Sequence, residues 1–392
     1  MTPAPELPPG DFLKVSLLSV GPLVEFLRAQ DAQGQPWLLR VLKSRPGRGF
    51  SERNLQQRFR QGYSLQQRAH GRGVASADSL ITLRGRPCVA MRDLGGLPLH
   101  MQLDAKPWDL EAALRLGADI AAGLERVHSL DLLHGDVSPA NILWNPHTDS
   151  ASLCGFELAH GRKEAQAMVL FNHALDCELA CMPPECTGRM NRFVDAPADL
   201  YALGSVLYRL LAGSYAFDAS DTLGWIHAHV AQRPRPLHEL RPGVPWMVSR
   251  IIDRLLGKMP EQRYQSAWSL RNDLQQCLLA VSGSGHIPSF ALALDDYSGQ
   301  LGNPSRLYGR EEPLQILSSS LEQVRLGGCA GVAIMGYAGI GKTALVGDIR
   351  SKLSLEGGHF VTGAVDQFQR NIPYSALTQA LDSLREAQDA AD

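Results

Sequence analysis

The residues Gly336-Tyr337-Ala338-Gly339-Ile340-Gly341-Lys342-Thr343 have the types and spacing of a phosphate cradle, G-x-x-x-x-G-K-[ST]. Glycine lets the backbone turn tightly, so that successive amides at the start of a helix face phosphate oxygens. Lys342 then reaches the β and γ phosphates, and Thr343 holds the accompanying magnesium ion. The apolar run 331–336 reads as a strand, and Ala344-Leu345-Val346-Gly347-Asp348-Ile349-Arg350 reads as a helix. This strand–loop–helix setting predicts ATP and Mg2+ at Gly336, Gly339, Gly341, Lys342 and Thr343. Hydrolysis asks for more, namely a later strand ending in Asp or Asp-Glu, and the residues after Thr343 offer none. The expectation is the front part of a nucleotide-hydrolysing domain. A second cluster with ligand chemistry is Cys177, Cys181 and Cys186 with His173 nearby. Its spacing differs from the paired cysteines of structural zinc sites, so ordinary reduced thiols are expected.

The elements that must position such groups follow from pattern. The chain has 392 residues, enough for two domains, with 44% apolar and 20% charged residues. Its 38 basic and 40 acidic side chains leave a net charge of -2, which gives no drive toward nucleic acid or an anionic membrane. No apolar run approaches the ~18 residues of a membrane span. The start, MTPAPELPPG, has neither the basic nor the apolar part of a secretory signal, so the expected compartment is cytoplasmic.

Residues 11–43 read as three short strands, with turn chemistry at Gln33-Gly34. Residues 51–70 read as a polar helix with Leu55, Phe59, Tyr63 and Gln66 on one face, and 80–91 return to strand composition. From Trp108 the period changes: Leu110, Leu114, Gly117, Ile120, Leu124 and Val127 recur three or four residues apart. A second strong helix begins near Asp199, with Leu200, Leu203, Val206, Leu207, Leu210 and Leu211 able to face a core. Further helices are predicted over 222–231, 248–256, 266–279 and 311–325. The Gly/Ser/Pro-rich stretch 281–306 reads as a linker.

Between these elements lie His134-Gly135-Asp136-Val137-Ser138-Pro139-Ala140-Asn141 and Leu153-Cys154-Gly155-Phe156-Glu157. Their spacing resembles the catalytic loop and metal-binding segment of the protein-kinase superfamily. More narrowly, the chain resembles the kinase-like N-terminal module of very large bacterial and fungal signalling proteins. Those proteins join it to an ATPase module of the AAA/STAND type, often followed by sensory and histidine-kinase modules. The closer likeness rests on Pro184-Glu185-Cys186-Thr187-Gly188-Arg189-Met190-Asn191-Arg192, on Asp199-Leu200-Tyr201-Ala202-Leu203-Gly204 and on Glu261-Gln262-Arg263-Tyr264-Gln265-Ser266. It continues in Leu307-Tyr308-Gly309-Arg310-Glu311 and in Asp366-Gln367-Phe368-Gln369-Arg370-Asn371-Ile372-Pro373-Tyr374. The resemblance implies an α+β bilobal kinase-like fold over 11–280, with a strand-rich N-lobe to about 95 and a helical C-lobe from about 96. After the linker, 307–392 would be the N-terminal part of an α/β P-loop ATPase domain, with Asp366 in an early strand motif.

Carried over residue by residue, the resemblance assigns Lys43 to the phosphate-contacting lysine, Asp136 to the base and Asn141 to a magnesium ligand. Several partners are missing. Gly62 falls where the glutamate that orients the lysine belongs, although a shifted register using Glu52 is conceivable. Only Gly21 represents the phosphate-covering glycine loop, and Pro22 brings no amide donor. Ser138 replaces a lysine of the catalytic loop, and Gly135 replaces its arginine. Gly155 stands where the metal-binding aspartate belongs and has no side-chain oxygen to offer. Glu157 starts from the wrong backbone position to replace it. Scaffold groups survive: Glu185 is expected to pair with Arg263. Asp199 is expected to accept backbone N–H groups of the catalytic loop, to cap its helix, or both.

The reading is a pseudokinase or regulatory kinase-like signalling module joined to an ATP-binding P-loop domain. Its partners would be a protein or downstream signalling modules. The alternative is a divergent serine/threonine kinase using Lys43, Asp136 and Asn141. Since the P-loop pattern is complete and the kinase-like one is not, nucleotide binding by the full chain should be lost in Lys342→Ala and kept in Lys43→Ala. Equilibrium binding of a fluorescent ATP analogue measures both.

Overall fold

The computed structural model describes residues 12–21, 23–43, 52–104, 106–162, 178–190, 194–294, 296, 311–325, 327–335 and 345. The chain divides into two compact units, Met1–Gly299 and Gln300–Asp392.

The first unit opens with strands β1 (Leu13–Val20), β2 (Val24–Gln30) and β3 (Pro36–Leu42), then helix α1 (Glu52–Ala69). Strands β4 (Ser79–Leu83) and β5 (Arg86–Arg92) complete an antiparallel five-stranded sheet of order β1-β2-β3-β5-β4. The β2–β3 turn is built by Asp31, whose carboxylate accepts from the amides of Gln33 and Gln35 and from the Trp37 indole. The strand-like stretch 80–91 is two strands joined at Arg84-Gly85. Both residues have positive φ, as a two-residue hairpin turn with the strands' own twist demands.

Alternation then sorts the sheet's side chains by face. Val24, Phe26, Leu38, Leu42, Val89 and Met91 share a buried cluster with Leu55 and Phe59 of α1. Leu27, Ala29, Leu39, Val41, Cys88 and Ala90 form a different cluster. Arg40 is paired with Phe26 and Val89 in register, so it lies on the α1 side of the sheet.

The helical part contains α2 (Leu110–Ser129), α3 (Ala196–Ala212), α4 (Thr222–Ala231), α5 (Leu237–Leu240), α6 (Trp246–Leu255) and α7 (Ala267–Ser284). Helix α2 is capped by Asp109, which accepts from the amides of Glu111 and Ala112. Its face of Leu114, Ile120, Leu124 and Val127 packs in one core with Leu203 and Leu207 of α3 and Leu270 and Leu274 of α7. Gly117 lets Leu207 and Leu274 approach so closely that a Cβ there would meet them at 3.1 and 3.2 Å.

Helix α3 begins at Ala196, three residues before the predicted start, because Asp195 and not Asp199 is its cap. Short strands β6 (Leu97–Pro98), β7 (Leu132–Leu133), β8 (Ile142–Asn145), β9 (Ser150–Leu153) and β10 (His160–Gly161) frame the loops between α2 and α3. A strand-and-helix first region followed by a helical one is thus the observed architecture.

The second unit supplies the predicted helix as α8 (Glu311–Arg325). The strand expected over 331–336 is not formed in residues 331–335, which carry no regular structure. An apolar run becomes a strand only beside a ladder partner, and none pairs with it among the described residues. The phosphate-cradle motif and the region of Asp366 lie outside the described residues. No helix among the described residues is long and apolar enough to cross a membrane.

The expected Glu185–Arg263 pair is present, bidentate at 2.7 and 2.8 Å with both side chains fully buried. Arg263 also donates to the carbonyls of Pro197, Gly257 and Lys258, which satisfies the rest of its fork. Removing one member would strand the other charge, so Glu185→Ala should destabilise the first unit by about 3–5 kcal/mol. Arg263→Met combined with Glu185→Leu should cost less than the two single changes summed, measured by urea denaturation.

Candidate functional site

The loop 134–141 is shaped mainly by one carboxylate. Asp199, on the first turn of α3, accepts from the amides of His134 and Gly135 at 2.9 Å each and meets His128 Nε2 at 2.9 Å. Burial works against this charge, but His128 and the loop amide of Gly135 outweigh it, drawing its pKa down to about 2. Gly135 has φ +75, and a Cβ there would stand 2.8 Å from the Leu158 carbonyl. His134 is fully buried, which lowers its pKa; its Nε2 lies 3.1 Å from the Cys154 carbonyl and its ring is edge-on to Phe156. The start of the loop is therefore tied both to α3 and to residues 154–156, and at its end the Asn141 carbonyl accepts from the Cys154 amide at 2.9 Å.

Asp136 and Asn141 are brought together, as their spacing suggested. Asn141 Nδ2 donates to the Asp136 carbonyl at 3.0 Å and to its carboxylate at 2.6 Å. Burial raises the Asp136 pKa to about 7. The Asn141 hydrogen bond opposes this, while Glu178 and Glu157 add to it.

The cation facing these groups is Arg40. Its guanidinium forms an ion pair with Glu157 through Nη1 and donates from Nη2 to Asn141 Oδ1 at 3.2 Å. Both charged side chains are nearly inaccessible to water, at 4% and 5% exposure. Burial works against the Arg40 charge, but Glu157, with a smaller contribution from Cys154, prevails and raises its pKa above the ordinary value. The guanidinium carbon lies 5.8 and 5.9 Å from the ring centres of Phe26 and Phe59, which adds cation–π attraction.

Two glycines make room for this arrangement. Gly155 has φ +80, and a Cβ there would run into the Asn141 carboxamide and come within 2.9 Å of Arg40 Nη2. Gly62 of α1 backs directly onto residues 156–157: a Cβ would stand 2.8 Å from the Phe156 carbonyl and 2.9 Å from the Glu157 amide. A glutamate at 62 and Glu157 in its present place exclude one another. A divalent cation does not fit here, because the Arg40 guanidinium already occupies Asn141 Oδ1 and residue 155 has no side-chain oxygen.

Lys43 stands apart from this group. Its ammonium donates to the Gly21 carbonyl at 3.1 Å and its amide to the Leu23 carbonyl at 3.0 Å. It thus ties down the short turn between β1 and β2 and does not face Asp136. Arg40 was the residue missed, and Glu157, considered only as a metal ligand, is its ion-pair partner. The signal was in the strand period: Arg40 shares parity with Leu38 and Leu42, whereas Lys43 shares it with Leu39 and Val41.

Beside this group lies a cavity of about 280 Å3, lined on its polar side by Arg40, Asp136, Asn141, Glu157 and Glu178, and a second of about 790 Å3, lined by Leu38, Met91, Leu143 and Asn145, opens toward residues 70–78. The first is just under the range of about 300–1,000 Å3 usual for ligand pockets. Val24, Leu38 and Met91 of the sheet belong to one buried cluster with Leu143 and Cys154 from the other side of the cleft. Gly336, Gly339, Gly341, Lys342 and Thr343 lie outside the described residues.

Residues 95–275 match the protein kinase domain as a family, and residues 306–392 match the AAA ATPase domain. Among curated proteins, the chain is 33% identical over 221 residues to the hybrid signal transduction histidine kinase G of Dictyostelium discoideum, covering 51% of this chain and 6% of that protein. It is 29% identical over 221 residues to the serine/threonine-protein kinase PksC of Streptomyces coelicolor, covering 54% and 38%. It is 31% identical over 198 residues to the serine/threonine-protein kinase Pkn1 of Myxococcus xanthus, covering 49% and 28%. The chain thus spans between 6% and 38% of the length of these relatives.

The raised pKa of Asp136 sets a pH dependence. Below its ordinary value of 3.8 the group is protonated in both folded and unfolded chains. Between there and about 7 the folded chain holds a proton that the unfolded chain has lost, so stability falls as pH rises. Asp136→Asn removes the penalty and can still accept from Asn141. It should stabilise the first unit above pH 7, by on the order of 2 kcal/mol, with the gain vanishing toward pH 4 in denaturation curves.

Proposed function

Since this chain carries a protein-kinase-like domain followed by an AAA-type ATPase domain, we propose that the first, over about residues 11–280, is a regulatory signalling module that does not transfer phosphate. One observation carries the reading: Arg40 is committed to Glu157 and Asn141, at the place where nucleotide phosphates and their metal would have to be held. Transfer rests on positioning and charge neutralisation of a phosphoryl group. Here the cation is bound to the Glu157 carboxylate, and the other acidic groups facing the cavity, Asp136 and Glu178, bring no positive charge to it. A polyanion gains little from such a site.

The nucleotide response of the chain is assigned in this proposal to the second domain, over about 307–392, through Gly336, Gly339, Gly341, Lys342 and Thr343 with ATP and Mg2+. The stretch 281–306 serves as the linker, its first residues to Ser284 ending α7 and Ile287 packing in the core of the first unit. The first domain would then act on a protein partner or on signalling modules, in the cytoplasm. The Dictyostelium relative, named as a hybrid signal transduction protein and far longer than this chain, supports a place within a multi-part signalling system.

The second reading is a divergent serine/threonine kinase. It draws on Asp136, whose pKa near 7 suits a general base, on its contact with Asn141, and on relatives named as serine/threonine kinases. The two readings separate in a transfer assay with labelled ATP, Mg2+ or Mn2+ and broad protein substrates. The regulatory reading expects incorporation by the full chain equal to that of Asp136→Ala. Transfer that disappears in Asp136→Ala establishes the kinase instead.

A further inference from the structure

We infer that Arg40 is a resident cation: it stands between Asn141 and the 155–157 segment in place of a divalent ion and holds the two lobes closed without metal or nucleotide. The inference deepens the regulatory reading and rests on it. Arg40 belongs to β3 of the sheet, whereas Asn141 and Glu157 belong to the loop region under the helical lobe, so the ion pair crosses the cleft. In a metal-dependent site the ion would sit at this place, held by ligands at 141 and 155, both on the helical side of the cleft. Here residue 155 is a glycine whose missing side chain is the space the guanidinium uses.

Charge has also been moved and not simply lost. The carboxylate absent from position 62 of α1 is supplied from position 157, and the bare backbone at Gly62 lets residues 156–157 come close enough to supply it. Further contacts hold the same closed form. Val24, Leu38 and Met91 share their buried cluster with Leu143 and Cys154. The segment after α1 runs backbone to backbone against α2, where a Cβ on Gly123 would strike Gly73. Glu157 is in this scheme a positioning residue for Arg40, and Gly62 and Gly155 are the vacancies that admit the pair.

The test uses the full chain and Mn2+ alone, without nucleotide, with free Mn2+ followed by its electron paramagnetic resonance signal. The parent chain and Asn141→Ala are expected to retain Mn2+ equally, and the melting temperature of the first unit should not move with Mn2+ or EDTA. Amide exchange gives a second, independent measurement. Arg40→Met should speed exchange over 154–160 by about a hundredfold or more, as expected when a buried pair is broken, and Arg40→Lys should recover part of the protection by keeping the charge. Mn2+ retention by the parent that Asn141→Ala abolishes overturns the inference, as does unchanged exchange in Arg40→Met. Asn141-dependent Mn2+ binding with no phosphoryl transfer defeats only the resident cation. Transfer lost in Asp136→Ala, without Asn141-dependent Mn2+ binding, defeats only the regulatory reading.

Discussion

A guanidinium removed from water must be neutralised at close range or it destabilises the fold that contains it. Arg40 sits on the inner face of the sheet with almost no solvent contact, and that one burial dictates its surroundings. Glu157 supplies the opposing charge, Asn141 takes a second N–H, and two aromatic rings flank the plane. For Glu157 to reach it, the backbone at 156–157 must lie against α1, which only a glycine at 62 permits. For the guanidinium to reach Asn141, residue 155 must carry no side chain and adopt positive φ. A single buried cation thus ties together β3, α1, the 134–141 loop and the segment that follows β9.

The loop region also shows how environment divides carboxylates of the same type. Asp199 is surrounded by donors, the amides of His134 and Gly135 and the His128 ring, and its pKa falls to about 2. Asp136 has one donor in Asn141, other carboxylates nearby and partial burial, and its pKa rises to about 7. The first is a scaffold charge that pins a backbone. The second is a charge the fold tolerates poorly. Together with the buried Glu185–Arg263 pair, this leaves the groups that hold the domain together fully satisfied, while those turned toward the cleft are rearranged around Arg40.

Much of this was legible before any coordinates. The apolar periodicity of α2 and α3, the turn at Gln33-Gly34, the pairing of Glu185 with Arg263 and the reach of Asp199 into the loop all follow from local pattern or from motif resemblance. Boundaries were less legible. The helix containing Asp199 starts earlier because Asp195 competes successfully as its cap, and 80–91 splits because Arg84-Gly85 forms a tight turn that strand composition conceals. The apolar run 331–335 has strand composition but no ladder partner among the described residues, and composition without a partner does not make a strand.

By itself the sequence determined the two-part organisation, the architecture of the first part and the absence of charge at Gly62, Ser138 and Gly155. It read those absences as losses. Tertiary structure decided what stands beside Gly62 and Gly155, because the partners lie far apart in the chain: Arg40 meets residues 101 and 117 positions away only after the sheet is laid over the helical lobe. The choice between Lys43 and Arg40 turned on the face of β3 that Arg40 occupies and on the turn after it, where Lys43 bonds the Gly21 carbonyl. Alternation states that two residues three apart lie on opposite faces, but only packing against α1 reveals which face is the cleft. A missing side chain is visible in a sequence, whereas the group that fills its space is visible only in the fold.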